Sequence, residues 1–458
     1  MRELLYEKIY NDLKNQILDK AYEINDKLPS KRKLASFYNV SVFTVERAYL
    51  QLLSEGYIHA VEKKGYFVYP LPIYPLRSLA RNIETPSKIL DVSYPYDLST
   101  HHVDRDHFPY KTWARISREV LTEASVMSEL SESQGLFELR EQIAIYLERY
   151  RKISVSPRQI IIGSGSQAMI QVIIAIIGRT HQYAMEEPGF KRLRDLFMYS
   201  GVAVKSISMD AYGAILDEKS RFDFDVMHIT PSHQFPTGIV MAISRRLEWL
   251  NWASEKDGRF MIEDDYDSEF RYEGQPIPAL QSLDQKESVI YMNTFSKSLS
   301  PALKINYLVL PLRLLSAYDE LKHAMACSVP LFDQHVLMRF LKEGHFERHL
   351  NRMKKIYRKK IDKILEVFKN NPKIHISGYA NGLHLVLHMP SITDPIRFQN
   401  ELKSKGIYLP MINDFVFQKQ TIQPIFLMGY AHLSDDKLNT VLEEMVKVLK
   451  RSRYQHNL

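Results

Sequence analysis

The sequence Tyr-Met-Asn-Thr-Phe-Ser-Lys-Ser-Leu-Ser-Pro, residues 291–301, places one lysine among small hydroxylic residues. The apolar run 288–292 predicts a buried strand that ends just before Thr294, Ser296 and Lys297. A strand end of this kind suits an anion with a reactive carbonyl, because hydroxyl groups can donate to phosphate and the amine can form a Schiff base. Taken alone, such a stretch is more often a surface loop with a stray lysine.

A second apolar strand, which ends in carboxylates around one tyrosine, changes this interpretation. Residues 261–270 read Met-Ile-Glu-Asp-Asp-Tyr-Asp-Ser-Glu-Phe. The carboxyl ends of parallel strands face one crevice, so the two strand ends together offer Asp264, Tyr266 and Lys297. This is the set that pyridoxal phosphate needs. The carboxylate pairs with the pyridinium nitrogen, the phenol bonds the ring oxygen, and the lysine holds the cofactor covalently.

Three motifs together resemble one family: the two strand ends and the segment Thr-Pro-Ser-His-Gln-Phe-Pro-Thr-Gly at 230–238. Over nearly its whole length the chain resembles the MocR-type transcription regulators, a branch of the GntR superfamily. The resemblance implies an α/β chain with an N-terminal winged helix-turn-helix domain (1–70) and a linker (71–95). It further implies a fold-type I pyridoxal phosphate-dependent aminotransferase-like domain with a small C-terminal α/β subdomain (96–458), and a homodimer.

The composition is that of an ordinary globular protein of two or three domains. The chain has 458 residues, 45% of them hydrophobic, and a net charge of +7, which permits an anionic partner without requiring one. Cys327 is the only cysteine, so we expect no disulfide framework, no metal site and a reduced, cytoplasmic compartment. No apolar run approaches the ~18 residues of a membrane-spanning helix, so we expect no membrane partner.

The first 56 residues predict three helices. Apolar residues recur at helical spacing over 5–18, and Ser30 is a candidate N-cap for a short second helix. Ser41 can cap a third helix over 42–55, which Gly56 ends. A helix, a short turn and a second helix form the helix-turn-helix pattern, in which the second helix enters the DNA major groove.

After the third helix the pattern changes to the period of two that is typical of strands. Residues 57–68 predict a hairpin with a basic tip, which can serve as a wing along a DNA groove. A three-helix unit with a hairpin and no DNA is the alternative. The GntR resemblance favours DNA, and it places the contacts at Ser30, Arg32, Thr44, Arg47, Lys63, Lys64 and Gly65.

The remainder of the chain alternates strands and helices. Prolines at 70, 72, 75 and 86 predict an extended linker, most simply a plain spacer. Helices are expected at 111–121, 136–150 and 243–256, and strands of a parallel sheet at 160–162, 202–207, 226–230, 260–263 and 288–292. A helical stretch over 329–370 precedes a small subdomain with strands at 382–388 and 425–428.

A Gly/Ser turn between a strand and a long helix forms a candidate anion cradle. Residues 163–168 read Gly-Ser-Gly-Ser-Gln-Ala, where free backbone amides and the helix dipole favour a phosphate. The resemblance puts the phosphate cup here, at Gly165, Ser166 and Gln167, near Thr294 and Ser296. Lys304 stands where the family usually has arginine, so it keeps the positive charge but loses the bidentate fork.

Three further site residues rest on the resemblance. Phe190 matches an aromatic that stacks on the pyridine ring, although it can also be a core residue. Arg192 matches a position that can hold a ligand carboxylate. His233 lies in a motif that lines the site, and a structural histidine is the equally weighted alternative.

The C-terminal part departs from working aminotransferases. These enzymes usually place an arginine there for the substrate carboxylate, yet neither 407–412 nor 425–429 contains one. We therefore favour a DNA-binding regulator that senses a small amino compound, or the cofactor itself, at Lys297. A pyridoxal phosphate-dependent aminotransferase with an incidental DNA-binding module is the alternative. A protein of this fold that no longer binds the cofactor is a weaker alternative.

Overall fold

The computed structural model describes residues 4–70, 94–123, 126, 128–218, 221–275, 277–369, 371, 373–418 and 421–454. The chain divides into two compact units, Met1–Leu90 and Asp91–Leu458. Of the predicted linker 71–95, only residues 94 and 95 are among those described. No helix in the described ranges is both long and apolar enough to cross a membrane.

Within residues 4–70, which the structure describes, the first unit contains three helices and one hairpin, as predicted. The elements are α1 (Leu5–Leu18), α2 (Lys31–Tyr38), α3 (Val42–Ser54), β1 (Ile58–Val61) and β2 (Gly65–Val68). The two strands are antiparallel. Apolar residues from every element form one buried core: Ile9, Leu13, Leu34, Val45, Leu52, Ile58 and Val68. The unit therefore has its own hydrophobic interior.

Side-chain caps determine where α2 and α3 begin. Ser30 Oγ accepts a hydrogen bond from the Lys33 amide at 3.3 Å, and Ser41 Oγ accepts one from the Thr44 amide at 3.1 Å. Both caps satisfy amides that a helix start leaves free. The helix-turn-helix geometry predicted from Ser30 and Ser41 is thus confirmed.

An eight-stranded sheet forms the centre of the second unit. Its strands are β4 (Ile160–Ser164), β5 (Tyr183–Glu187), β6 (Val204–Asp210), β7 (Gly213–Ala214), β8 (Val226–Ile229), β9 (Phe260–Asp264), β10 (Val289–Thr294) and β11 (Ile305–Val309). The order is β4-β11-β10-β9-β8-β5-β6-β7. The pairs from β10 through β9, β8 and β5 to β6 are parallel, so their carboxyl ends lie at one edge.

Helices cover both faces of this sheet. They are α4 (Tyr110–Leu121), α5 (Phe137–Arg151), α6 (Gly165–Ile177), α7 (Lys191–Tyr199), α8 (Ile243–Ser254), α9 (Phe295–Ser298), α10 (Leu315–Leu321), α11 (Leu331–Lys342) and α12 (His345–Lys369). Along β10, Tyr291 belongs to one core while Ile290 and Met292 belong to another. This alternation is expected for a sheet that is buried on both faces.

The C-terminal part is a small α/β subdomain, as predicted. An antiparallel sheet in the order β12-β13-β15 contains β12 (His375–Ser377), β13 (His384–His388) and β15 (Ile425–Gly429). The helices α13 (Pro395–Ser404) and α14 (Asp435–Tyr454) accompany it. β14 (Ile407–Tyr408) pairs with β3 (Tyr96–Asp97), so the chain returns to the start of its second unit.

Strand β11 is a feature that the sequence did not predict. It lies between β10 and β4 and is antiparallel to both, so the sheet is mixed rather than wholly parallel. The predicted strand 202–207 also lies slightly later, at Val204–Asp210. Hydrogen bonding to neighbouring strands determines the direction of β11 and the bounds of β6. The residue pattern of one strand does not show which strands will be its neighbours.

Candidate functional site

Lys297 lies just beyond the carboxyl end of β10, in the short helix α9. Thr294 caps this helix, since its Oγ1 accepts the Ser296 amide at 3.0 Å. The Lys297 ammonium donates to the backbone carbonyl of Thr100. Burial lowers the pKa of Lys297 from 10.5 to about 8, although the charge of Asp267 acts in the opposite direction. Such an amine is far more often neutral, and so nucleophilic, than a surface lysine.

Asp264 ends β9, the parallel neighbour of β10, in register with Met292. Its Oδ2 lies 3.3 Å from Nε2 of His228 on β8. Both side chains are buried. His228 was not among the predicted site residues, although a histidine within the otherwise apolar strand 226–229 was a usable signal. Three adjacent strands therefore bring a histidine, an acid and a lysine to one edge of the sheet.

A buried network links Tyr266 with two histidines and an acid. Tyr266 Oη donates to the carbonyl of His233 at 3.0 Å, and His233 Nδ1 lies 3.1 Å from both carboxylate oxygens of Asp267. The His233 ring packs on that of His384, with centroids 4.6 Å apart. Asp267 Oδ2 also accepts the Leu383 amide at 3.1 Å. The network thus joins the strand ends of the large sheet to β13 of the small subdomain.

The electrostatics of this network favour an ionised Asp267. Burial acts to raise the pKa of Asp267, but His233, its hydrogen bond, and the charges of His384 and Lys297 together lower it. Burial, reinforced by His233, lowers the pKa of His384 to about 3. Burial and the neighbouring acids raise the pKa of Tyr266 well above 10, so the phenol keeps its proton.

One atom from each of His233, Asp267 and His384 lies within 4.8 Å of the others, which is close enough to hold a metal ion. Hydrogen bonds already engage the Asp267 oxygens, and His384 Nε2 lies 3.2 Å from the Pro236 carbonyl. We therefore interpret the group as a hydrogen-bonded network, and the absence of a metal site stays a prediction.

The amino end of α6 lies at the end of β4. Gly165 has a φ of +76°, and its amide donates to the Lys304 carbonyl at 2.9 Å. Ser166 and Gln167 are exposed, and no side chain caps the helix start. An uncapped helix start presents free amides and a positive dipole end, so the predicted phosphate cup has the local geometry of an anion site.

The other predicted phosphate ligands differ in their availability. The Thr294 hydroxyl donates to Asn306 Oδ1 at 3.1 Å, and Thr294 also caps α9, so it has a structural role. Ser296 is partly buried. Lys304 is exposed and has a φ of +49°, in the left-handed region. Its backbone contact with Gly165 keeps it beside the start of α6.

An apolar cluster surrounds Tyr266. Phe190 stacks on Phe235 with centroids 4.0 Å apart and packs edge-to-face on Tyr266 at 5.3 Å. Buried Leu427 on β15 and Val386 on β13 belong to the same cluster. Phe190 thus meets another aromatic ring, and its stacking on a pyridine ring stays a prediction. β15, where an enzyme of this fold was expected to carry arginine, contributes leucine to this cluster.

Arg192 is exposed in the first turn of α7. Burial lowers the pKa of His101, the residue after Thr100, and the charge of Lys297 and, to a smaller extent, that of Arg192 act in the same direction. Arg192, His101 and Lys297 therefore lie in one electrostatic neighbourhood. His101 was not among the predicted site residues, because nothing in its local pattern indicates the tertiary contact between Thr100 and Lys297.

The predicted DNA contacts lie on exposed or partly exposed positions of the first unit. Arg32, Arg47, Lys63 and Lys64 are exposed, and Gly65 has a φ of +115° at the hairpin tip. The Arg47 guanidinium stacks over the Tyr6 ring at 4.3 Å. Lys31, at the start of α2, forms an ion pair with Glu46 at 2.5 Å. The positive charge that the first unit can offer to DNA is therefore smaller than a count of its lysines and arginines suggests.

Comparisons with known proteins agree with both units. Residues 5–68 match the family described as bacterial regulatory proteins, gntR family, and residues 97–445 match aminotransferase class I and II. The chain is 34% identical over 447 residues to YhdI of Bacillus subtilis, an uncharacterized HTH-type transcriptional regulator. That alignment covers 96% of this chain and 95% of YhdI.

A second relative is the probable rhizopine catabolism regulatory protein MocR of Rhizobium meliloti. It is 30% identical over 371 residues, which cover 77% of this chain and 75% of MocR. Among solved structures, a multiple substrate aminotransferase from Thermococcus profundus superposes with a TM-score of 0.69 at 21% identity. That superposition covers 78% of this chain and 92% of the aminotransferase, and it supports the fold alone.

Proposed function

We propose a mode of action from the family of this chain, which belongs to the MocR-type branch of the GntR regulatory proteins. In this proposal the chain is a transcription regulator whose second unit binds pyridoxal phosphate through Lys297. It senses there a small amino compound or the cofactor itself. The observation that carries the proposal is a desolvated lysine at the strand ends of an aminotransferase-like sheet, in a chain that begins with a helix-turn-helix unit.

The residues around Lys297 fit the chemistry of pyridoxal phosphate. The uncapped start of α6 suits its phosphate, and we assign that role to Gly165, Ser166 and Gln167, with Thr294, Ser296 and Lys304 nearby. Because the Gly165 amide donates to the Lys304 carbonyl, Gly165 contributes the turn and the residues after it contribute the free amides. Lys297 would attach the cofactor, and Asp264 would pair with the ring nitrogen. Tyr266 would turn its one hydroxyl hydrogen from the His233 carbonyl to the ring oxygen. When bound, the cofactor supplies an electron-withdrawing pyridinium ring.

Two other site residues support this arrangement. We propose that Phe190 packs on the cofactor ring, since it already lies within the aromatic cluster that contains Tyr266. His233 acts through its neighbours. Its carbonyl accepts the Tyr266 hydroxyl and its ring faces Asp267, so it positions the Tyr266 side chain at the strand end.

The small number of positively charged side chains available to a ligand carboxylate favours sensing over turnover. Arg192 is exposed near Lys297 and offers one positive group to a carboxylate. β15 supplies Leu427 to an apolar cluster instead of a second arginine. An enzyme must orient its substrate for repeated proton transfer, and one exposed cation provides less constraint than two. We therefore propose that ligands bind here and react slowly.

The proposed partners follow from the two units. The winged helix binds a double-stranded DNA operator, and a homodimer of the second unit would carry two winged helices to two half-sites. We propose that ligand binding at Lys297 shifts the population of conformations that present the winged helices. We place this regulator in the cytoplasm with the DNA.

An active aminotransferase is the second candidate. The specific observation that favours it is the Lys297 amine, whose pKa of about 8 suits nucleophilic attack near neutral pH. Asp264 and Tyr266 are also present at the adjacent strand end.

Absorbance spectroscopy of the purified chain tests the cofactor attachment that both candidates share. We expect pyridoxal phosphate to give a visible band that borohydride fixes to the protein, and certain amines to shift that band. Lys297→Ala should stay folded and lack the fixed product. A borohydride-fixed product of equal stoichiometry in Lys297→Ala would show that another lysine is used.

A steady-state assay completes the test. With common amino acid and keto acid pairs we expect at most slow half-reactions. Turnover at ordinary enzyme rates, about 1 s⁻¹ or faster, would establish the aminotransferase instead.

A further inference from the structure

The outer face of α3 carries apolar side chains that the core does not use. Val45, Ala48, Tyr49 and Leu52 are buried, and together they mark the inner face. At 100° per residue the opposite face contains Phe43, Arg47 and Leu50. Phe43 is 68% exposed and Leu50 is 53% exposed. The second residue of the helix is thus a phenylalanine directed away from its own domain.

Side-chain contacts support the start of α3. Ser41 Oγ caps the helix through the Thr44 amide and lies 2.8 Å from Thr44 Oγ1. One turn beyond Phe43, the Arg47 guanidinium is held over the Tyr6 ring. Phe43 therefore lies on the outer face between a capped helix start and a cation that is stacked on a ring.

The charge around Phe43 favours a nucleic acid over a protein as its partner. Arg32 and Lys33 on α2 and Arg47 on α3 are exposed. Glu46, the acid nearest in sequence, is paired with Lys31 at 2.5 Å. In a helix-turn-helix domain the first residues of the second helix contact base edges in the major groove. There the C5-methyl group of thymine is the apolar feature, and aromatic or aliphatic side chains pack on it.

We propose that Phe43 is a specificity-determining residue that contacts the C5-methyl group of a thymine in each operator half-site. This inference rests on DNA binding by the winged helix and adds what one position of α3 reads. Leu50 lies seven residues later, about 10 Å further along the helix axis. It is therefore outside the first turns that reach the base edges, and it serves as an internal control.

The test removes a single methyl group from the DNA. A duplex is selected from a random library with the full-length chain, and each thymine in it is replaced in turn by deoxyuridine. At fixed salt we expect one thymine per half-site at which the loss of the methyl group weakens binding about fourfold, the value for one buried methyl-sized group. In Phe43→Ala the same replacement should change affinity less than twofold.

Three variants serve as controls. Leu50→Ala and Tyr212→Ala, an exposed aromatic of the second unit, should keep the full response to deoxyuridine. Phe43→Leu should keep part of it. Because Phe43 is exposed, Phe43→Ala should unfold at the wild-type temperature.

Each other outcome has a definite meaning. Equal responses to deoxyuridine in the wild type and Phe43→Ala would overturn the inference, and so would a selected site without thymine. A changed oligomeric state in Phe43→Ala without a changed thymine response would assign this face to a protein contact. If no specific duplex is selected, or if Arg47→Ala binds as well as the wild type, the DNA-binding role of α3 itself fails.

Discussion

At the scale of single residues, burial gives Lys297 properties that surface lysines lack. Its ammonium donates to one backbone carbonyl, and burial lowers its pKa to about 8. The charge of Asp267 opposes this effect without cancelling it. The neutral amine, which is the form that attacks a carbonyl, is therefore substantially populated near neutral pH.

The first prediction concerns the pH dependence of cofactor attachment. A lowered pKa means that the reactive neutral amine increases as the pH rises towards about 8 and is nearly complete above it. Stopped-flow absorbance with pyridoxal phosphate should show an attachment rate that rises with a midpoint near pH 8 and levels off about one unit above it. Lys304→Ala should weaken binding but keep the same midpoint. A rate that still rises steeply at pH 10 would contradict the assignment.

The second prediction concerns Glu186, which is buried at the end region of β5. Its Oε2 accepts the Thr230 amide at 3.1 Å and the Thr230 hydroxyl at 2.5 Å, and burial raises its pKa from 4.5 to about 7. Between these values the native state binds more protons than the unfolded state. The contribution of Glu186 to the free energy of unfolding therefore falls as pH rises from about 4.5 to 7.

Urea denaturation at several pH values checks this sign. Glu186→Gln keeps an acceptor for Thr230 and removes the titration, so its stability should fall less between pH 5 and 7.5 than that of the wild type. The exposed Glu366→Gln should match the wild type. A steeper fall in Glu186→Gln would contradict the raised pKa.

The third prediction concerns ligand selectivity. Spectral titration of Arg192→Ala should show weaker binding of amino acids than the wild type, because a positive group near the ligand carboxylate is lost. Simple amines without a carboxylate should bind both proteins equally. Arg194→Ala is the matched control, since Arg194 lies over the Phe417 ring at 4.7 Å. An equal loss for amines and amino acids would exclude a carboxylate contact.

The sequence could predict those residues of the site that lie at the ends of parallel strands. Asp264, Tyr266 and Lys297 follow two strands, and parallel strands bring such ends together. His228 and His384 come from other strands, and Thr100 meets Lys297 across 197 positions of sequence. Their roles depend on strand order and on the docking of the small subdomain, which local patterns do not specify.

At the scale of elements, the helix starts were predictable and strand β11 was not. Ser30 and Ser41 each satisfy an amide within three residues, so the cap is a local interaction. β11 instead pairs with β4, more than 140 residues away in sequence. The region before it, around Lys304, was interpreted as a phosphate-binding motif alone.

The fourth prediction compares two cations of the winged helix. Arg47 is on the outer face of α3 and Lys64 is at the hairpin tip. Arg47→Ala should weaken operator binding about tenfold or more at fixed salt, if it reads a base. Lys64→Ala should weaken all duplexes similarly and reduce the salt slope by about one. Fluorescence anisotropy across salt concentrations separates the two effects, and a uniform loss in both variants would remove Arg47 from base reading.

At the scale of the whole molecule, the proposed DNA-binding and ligand-binding roles belong to two units with separate cores. The first unit has a closed hydrophobic interior of its own, and the second has cores on both faces of its sheet. Residues 1–90 should therefore fold alone and still bind the selected duplex. They should bind it more weakly than the full chain, because one winged helix engages one half-site. Equal affinity would contradict a dimeric reader.

The central claim is that the state of Lys297 controls DNA binding. The most direct measurement is the affinity of the full-length chain for its selected duplex, at fixed salt, with and without pyridoxal phosphate and an amine that shifts the cofactor spectrum. We predict that these ligands change the affinity of the wild type and leave that of Lys297→Ala unchanged, while Lys304→Ala responds at higher cofactor concentration. An identical response in Lys297→Ala, or no response in the wild type under conditions of full cofactor attachment, would contradict the account.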